Sequence, residues 1–435
     1  MEHRSDPQGM TPAAVTVPAI HVPALLTFLA LLAGLAVGWL FADAPAIDPL
    51  LAVVEPIGRV WLHALQATII PLVAALLVTG ISGMVATASA GVLARRTIGT
   101  FIAVLACGTL VTAFTMPPLL AMFPIPSAAR TALQAGDGAS HVVPGIGDFV
   151  ESLVAPNIVA AAAETAMLPL VLFFAALGVA AVRLPDRQRE VLLVLFAGLG
   201  NAMLVLVGWI LRIAPIGAFA LAIGVAARGG GSAAAVLVHY VLIVSGGGVV
   251  VLAAAYALAI LAGRQAPLRF ARTVLPVQAL AVSTQSSLAC LPAMLTACRS
   301  LGVRQEVMDF VLPLAVAVFR ATSPAMNLAV AIYVAKLSGV ELTAGVIAAG
   351  AAVALITTVG SVSLPGSVSF IASVGPIALA MGAPIEPLAL LVAVEMLPDL
   401  VRTVGNVTMD VAVTTTLDGA TTKSPGNQMG ENGSQ

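Results

Sequence analysis

Residues 395–410 read Glu395-Met396-Leu397-Pro398-Asp399-Leu400-Val401-Arg402-Thr403-Val404-Gly405-Asn406-Val407-Thr408-Met409-Asp410, inside an apolar run of about 385–417. At about 100° per residue, Glu395, Asp399, Arg402, Asn406 and Asp410 fall within an arc of about 80° on one helix. An ionisable group at a bilayer centre costs roughly 2.5–3.5 kcal/mol even on lenient insertion scales. Several on one stripe must therefore face protein, water or a ligand. A self-neutralising ladder, with Asp399 and Arg402 paired at i,i+3, is the plain alternative. That ladder needs neither an acid as far along as Asp410 nor an amide between, so the stripe reads as a binding surface.

The rest of the chain supplies the membrane. It has 435 residues, 60% hydrophobic and 9% charged, with a mean hydropathy of +1.07. A soluble domain carries about 25% charged residues. A soluble enzyme with an ordinary surface, a disordered regulator and a nucleic-acid binder are thereby excluded. The net charge of −1 offers no basic field to polyanions. Cys107, Cys290 and Cys298 lie in apolar stretches and read as free thiols packed like small hydrophobes.

Residues 1–22 and 419–435 are polar tails. The run at about 24–43 follows no basic leader and lacks a small-residue cleavage site, so it reads as a first span closed by Asp43, Asp48 and Glu55. Further apolar runs occupy about 57–92, 97–124, 150–182, 190–227, 232–263, 305–335 and 385–417. A span needs about 20 apolar residues, and no alternating barrel pattern is present, so these are helices. The fold expected is an all-α membrane protein with eight transmembrane helices.

Arginines cluster in four junctions: Arg95 and Arg96; Arg183, Arg187 and Arg189; Arg264, Arg269 and Arg272; Arg299 and Arg304. The alternate junctions carry Asp137, Asp148 and Glu151 with only Arg59 and Arg130. The positive-inside rule places the N-terminus and the four arginine junctions in the cytoplasm. The third and fourth junctions must then share a side, although residues 273–298 between them are too few to cross twice. That segment holds Ser283-Thr284-Gln285-Ser286-Ser287 and Pro292, so a re-entrant hairpin is expected, its polar tip buried in protein or lining a cavity. Residues 343–384, centred on Gly360-Ser361-Val362-Ser363-Leu364-Pro365-Gly366-Ser367, repeat the design. Two hairpins of opposite entry, each followed by a helix, read as an inverted repeat around a midplane site.

Pro324 breaks the run 305–335, because it lacks an N–H and clashes with the carbonyl of Arg320. Carbonyls freed there are ready cation ligands. Arg320 is a second intramembrane base, too far from either helix end to snorkel. His63 and His239 read as helix–helix hydrogen-bonding groups, and Glu164 as the mark of a bend. No His/Cys cluster has metal-ligand spacing. Asp399 and Asp410, about 16 Å apart on one helix, are too distant to act as a protease dyad.

These motifs resemble the glutamate and dicarboxylate:cation symporters over about 24–418. Asp399-Leu-Val-Arg402-Thr403-Val-Gly-Asn406-Val-Thr-Met-Asp410 is similar to the family's last helix. Ser286-Ser287 through Leu291-Pro292 resembles its first hairpin tip, and Gly360 through Gly366 its second. Ile69-Ile70-Pro71-Leu72 with Gly80-Ile81-Ser82 resembles its second helix. The resemblance implies an elevator-type homotrimer that is not an enzyme, multi-pass in the inner (plasma) membrane. It divides the chain into an N-terminal tail (1–22), scaffold helices 1–2 (23–92), helix 3 with an extracellular loop (93–149) and scaffold helices 4–5 (150–231). A transport domain (232–418, with helix 3) and a disordered tail (419–435) follow.

The resemblance also implies roles. Arg402 takes the side-chain carboxylate of an acidic substrate and Asp399 its amino group. Thr403, Asn406, Ser286, Ser287, Ser323, Val362, Ser363, Pro365 and Gly366 line the site, the second tip being the gate. Asp410 and Asn406, with Ala315, Thr358 and Ser361, form a sodium-binding set. Keeping both Asp399 and Arg402 favours aspartate or glutamate over a C4 dicarboxylate, and a non-transporting or uncoupled binding protein is the other alternative. No resident cofactor is implied, only bound sodium or a coupled proton, and no nucleic acid. Where the family reads Asn-Met-Asp-Gly-Thr, this chain has Phe319-Arg320-Ala321-Thr322-Ser323. Two sodium-site side chains are absent and a base is gained. Arg320 is therefore expected to act as a tethered cation, within reach of Asp410 or Asp399, that lowers the sodium requirement.

Overall fold

The computed structural model describes residues 24–42, 44, 47–89, 91–126, 151, 153–229, 232–360 and 366–421. Most of both tails, Asp43, Arg130, Asp137, Asp148 and the second hairpin's Ser361, Val362, Ser363 and Pro365 lie outside them, and Gly366 is described for its backbone alone. The described residues form helices and connecting turns, with no strand among them. Among the described residues, five helical stretches are long and apolar enough to cross a membrane.

The chain opens with α1 (Ala24–Leu40), α2 (Ile47–Ala88) and α3 (Val92–Met122). Helix α2 is longer than its apolar run: Asp48, Glu55 and Arg59, read as a junction, lie within its first turns. Asp48 sits in the first turn, where an acid complements the helix dipole, so the charge starts this helix rather than ending its predecessor. Next come α4 (Ile158–Ala163) and α5 (Met167–Ala181), separated at Glu164 and at Thr165, whose φ is 55°. The bend expected at Glu164 is there. The run 190–227, expected as one span, is two helices, α6 (Asp186–Arg212) and α7 (Ala214–Gly229). Pro215 follows the break and suits the second position of a new helix.

Helix α8 (Ser232–Leu261) leads to α9 (Pro267–Thr284) and α10 (Leu291–Ser300), the two arms of the first hairpin. The turn between them begins at Gln285, left-handed with φ 49°. Helix α10 rises about 15 Å over its 10 residues, half of a hydrocarbon core of about 30 Å. Such an arm is too short to cross on its own. The two arginine junctions meet as the topology requires: Arg269 Nη2 donates to the Ser300 carbonyl at 2.6 Å. Arg304 pairs with Asp418 at 2.7 Å, bringing the end of the last helix to the same place. Arg96 joins them, lining one groove of about 520 Å³ with Leu258 and Leu417.

The expected break in 305–335 separates α11 (Gln305–Val318) from α12 (Ser323–Leu337), with Pro324 at the second position of α12. The carbonyl of Arg320 is not freed, because it accepts the Ser323 N–H at 2.9 Å. The turn that Pro324 imposes brings that N–H round to it. The second hairpin's arms, α13 (Ala344–Gly360) and α14 (Gly366–Ala380), pack on each other and on α12. The final run is also broken, into α15 (Glu386–Leu391) and α16 (Met396–Thr421). Glu395 therefore precedes α16 instead of lying within it, yet its carbonyl accepts the Asp399 N–H at 2.9 Å and keeps it in helical register.

Packing explains the positions. Helix α12 is buried on almost every face, as a helix apolar all round requires. Helix α1 lies against α7, where Gly34 and Gly38 let the backbones of Phe219 and Ile223 come close. Helix α8 runs along α16, and a Cβ at its Gly248 would meet Met326 of α12 and Val401 of α16 at 2.9 Å. Outward faces carry Leu25, Leu29, Phe114, Trp209, Leu242 and Val249, an apolar exterior far beyond the patches of a soluble monomer. Cys290 and Cys298 are buried thiols as expected, whereas Cys107 is exposed on α3 and packs into no core.

Candidate functional site

The stripe of α16 faces inward. Asp399, Arg402, Thr403, Asn406 and Asp410 are all buried, as are Glu395 just before the helix and Arg320, Thr322 and Ser323 at the α11–α12 break. Packing of α16 against α8 and of α8 against α12 removes the stripe from the surface.

Arg402 is the hub. Its Nη2 donates to Glu395 Oε1 at 2.6 Å and its Nη1 to Asn327 Oδ1 at 3.0 Å. Its Nε lies 3.6 Å from Asp399 Oδ1 and has no hydrogen-bond acceptor. Glu395 Oε2 in turn accepts the Tyr240 hydroxyl of α8 at 2.7 Å. The i,i+3 ion pair is thus the looser contact, and the seven-residue pair with Glu395 is the tight one. Two carboxylates flank one guanidinium in a low-dielectric interior, a cluster costly to leave unbalanced. Asp399 and Arg402 are also the charged groups that act on Arg320. Of the two acids expected within reach of that guanidinium, Asp399 is the one.

One helical turn along, Asn406 Oδ1 accepts the Thr322 N–H at 2.9 Å and its hydroxyl at 2.8 Å. The Thr322 hydroxyl also reaches the Arg402 carbonyl at 3.2 Å. Thr403 turns its hydroxyl back to the Asp399 carbonyl at 2.9 Å. Phe319 stacks on Phe101 of α3, centroids 4.2 Å apart, which closes the other side of the break with rings rather than polar groups.

Asp410 stands apart. Its two carboxylate oxygens are buried with no hydrogen-bond partner, and the neighbours it acts on are Cys290 and Cys298 of the first hairpin. Of the other residues expected to bind sodium, the described ones are engaged: Asn406 by Thr322, the Ala315 carbonyl by the Phe319 N–H at 2.7 Å, and the Thr358 hydroxyl by the Ala354 carbonyl at 2.8 Å. Ser323 Oγ is buried without a partner. Among the described residues no group of three or more His, Cys, Asp and Glu side chains converges on one point.

The first hairpin's tip is more open than expected. Thr284 and Gln285 are exposed, and Ser286 and Ser287 are half-buried. Ser286 Oγ accepts the Ala289 N–H at 3.3 Å and the Ser287 carbonyl that of Cys290 at 3.2 Å, so their bonds stay within the tip. The hairpin reaches α16 on another face, where Gln278 donates to Thr408 Oγ1 at 2.9 Å. His239 joins helices as expected, its ring nitrogens 3.0 Å from Tyr333 Oη and 3.1 Å from the Phe123 carbonyl. His63 is exposed.

Sequence reasoning placed Glu395 on the stripe but gave it no role, and it overlooked Tyr240, Thr322 and Asn327. Asn327 was within reach: an amide in a helix otherwise apolar and wholly buried demands a partner.

Comparison with known proteins agrees with this architecture. The model of the sodium:dicarboxylate symporter family matches residues 24–420. A proton/glutamate-aspartate symporter of Escherichia coli (strain K12) is 28% identical over 365 residues, covering 81% of this chain and 82% of its own. A proton/sodium-glutamate symport protein of Bacillus subtilis (strain 168) is 27% identical over 418 residues, 88% of each chain. The human neutral amino acid transporter A is 28% identical over 248 residues, 56% of this chain and 46% of its own.

Proposed function

This chain belongs to the sodium:dicarboxylate symporter family, and from that premise we propose that it takes up an acidic amino acid, aspartate or glutamate, in symport with a cation. One observation carries the choice of substrate: Asp399 and Arg402 share one buried stripe, 3.6 Å apart. A guanidinium offers a carboxylate a fork of parallel N–H donors, and a carboxylate suits an ammonium. An amino acid with an acidic side chain brings both partners. Two of the relatives are named for glutamate symport, which accords with this reading.

A C4 dicarboxylate is the second reading. What favours it is Arg320, a second base acting on Asp399 and Arg402, where a second carboxylate would need a cation. The coupling ion is part of the cargo. Asp410, with both oxygens unpartnered, fits a sodium ion or a proton, while Phe319 and Ala321 offer no side-chain oxygen to complete a larger set. Reduced sodium coupling follows from that poverty of donors.

The architecture proposed is eight spans with two re-entrant hairpins in the inner membrane, N-terminus cytoplasmic. Residues 23–92 and 150–231 form a trimeric scaffold, and 232–418 with helix 3 move as an elevator. The meeting of Arg96, Arg269 and Arg304 at one end supports this topology.

Proteoliposomes test the reading. Concentrative uptake of labelled aspartate or glutamate under an inward sodium or proton gradient supports it. Uptake of succinate but not aspartate moves the assignment to the dicarboxylate. Aspartate binding without uptake makes the chain an uncoupled binding protein.

A further inference from the structure

We propose that Glu395 is an internal ligand of Arg402 which the anionic substrate displaces, and that Glu395 takes up the proton that accompanies the substrate. The inference rests on the reading of Arg402 as the substrate's carboxylate site.

The geometry is that of an occupied site. Glu395 Oε1 holds Arg402 Nη2 at 2.6 Å, the short, charge-assisted contact that a substrate carboxylate would make. Its Oε2 holds the Tyr240 hydroxyl at 2.7 Å. Asn327 takes one N–H of Nη1 and Glu395 one of Nη2, while Nε faces Asp399 without bonding it. A substrate carboxylate that takes the contact now made by Glu395 displaces it from Nη2.

Charge decides what happens to the loser. Glu395, Asp399, Arg402 and Arg320 sum to zero. An acidic amino acid arrives with a net charge of −1. If Glu395 stayed ionised it would be a buried carboxylate stripped of its cation, the arrangement that buried ion pairs punish most. Taking one proton from water returns the cluster to zero, and the Tyr240 hydroxyl still donates to the acid's carbonyl oxygen. The groups acting on Glu395 are Arg402 and Asp399 of α16, which it precedes, and Tyr240 on α8, with Tyr333 of α12 acting through Tyr240 and Arg320 through Asp399 and Arg402. No bond other than O–H is made or broken. One proton enters with each substrate and leaves with it.

Calorimetry of aspartate binding to the purified full chain, in buffers of different ionisation enthalpy, counts the protons. At saturating sodium, which leaves Asp410 to the metal ion, the wild type is expected to take up about one per aspartate, with affinity falling up to tenfold per unit rise in pH across the coupled range. Under the same conditions Glu395→Gln should bind aspartate with no proton uptake and a flat pH profile. Tyr240→Phe removes a hydrogen bond that favours the ionised carboxylate, so the midpoint of the pH profile should move upward. Aspartate binding to the wild type without proton uptake, an unchanged proton count in Glu395→Gln, or an unmoved midpoint in Tyr240→Phe overturns the proposal while leaving the substrate reading intact. Absence of any aspartate or glutamate binding to the wild type overturns both.

Discussion

Asn406 Oδ1 accepts two hydrogen bonds from Thr322, one from its N–H at 2.9 Å and one from its hydroxyl at 2.8 Å. Thr322 is the last residue before α12 restarts, so its N–H has no carbonyl in an earlier helical turn to bond. A single side chain of α16 thus holds the restart of the broken helix and fixes the two elements in register. Asn406→Ala leaves a buried N–H unsatisfied, at a cost of about 1–3 kcal/mol. A lowered midpoint of thermal unfolding in detergent is expected. Asn406→Asp keeps the acceptor and should recover part of the loss in the same scan.

The same contact dictates a glycine. A Cβ at Gly405 would meet the Thr322 methyl carbon at 2.5 Å. Overpacking of this kind costs about 1–3 kcal/mol. Gly405→Ala should lower the unfolding midpoint. Thr322→Ser removes the methyl and keeps the hydroxyl, so the double variant should be more stable than Gly405→Ala alone. If the two losses simply add, the methyl is not what excludes a side chain there.

Arg402 balances two acids, and its removal has two separable effects. Arg402→Ala leaves Glu395 and Asp399 buried without their base, a loss of about 3–5 kcal/mol for a broken buried pair. It also removes the fork for an acidic side chain. Aspartate uptake should be abolished, and a small neutral amino acid such as serine should become a substrate. Adding Glu395→Gln should restore part of the stability without restoring aspartate uptake. Calorimetry showing aspartate affinity unchanged in Arg402→Ala would remove Arg402 from the substrate site.

Much of this was legible in the chain because lipid makes polar residues conspicuous. A charged group in an apolar run is expensive, so Asp399, Arg402 and Asp410 announced the stripe by their spacing. The first hairpin followed from arithmetic, since residues 273–298 lie between junctions of one sign and are too short to cross twice. Helix boundaries were less legible. Charge in the first turns of α2 looked like a junction, and the run 190–227 looked like one span although Pro215 opens a new helix within it. The partners of Arg402 were least legible. Tyr240 and Glu395 are 155 residues apart, and nothing local to Tyr240 points to an acid on another helix. Such pairings are made by packing of α8 on α16, which glycines such as Gly248 permit and no periodicity encodes.

On the proposed reading, Arg320 would set the number of cations that the site needs. Counting Asp399, Asp410, Arg402 and Arg320 alone gives a fixed charge of zero. Glu395, bonded to Arg402 at 2.6 Å, belongs in the count and makes it −1. A monoanionic amino acid brings the total to −2, and unpaired charge in a low-dielectric interior is costly. Two cations therefore suffice for neutrality: a proton at Glu395, and one sodium ion or proton at Asp410. Without Arg320 the total would be −3 and a third cation would be required. Asp399 and Arg402 are the charged groups acting on Arg320, so on this reading it would lower the demand for cations through the substrate cluster rather than by occupying the place beside Asp410. Aspartate affinity measured across a sodium titration should give a log–log slope of one or less. The slope should rise in an Arg320→Met, Ala321→Asp, Phe319→Asn triple variant, which removes the tethered base and supplies an acid and an amide at the break. A wild-type slope near three would show that a full set of sodium ions still binds, and Arg320 would then be a packing residue.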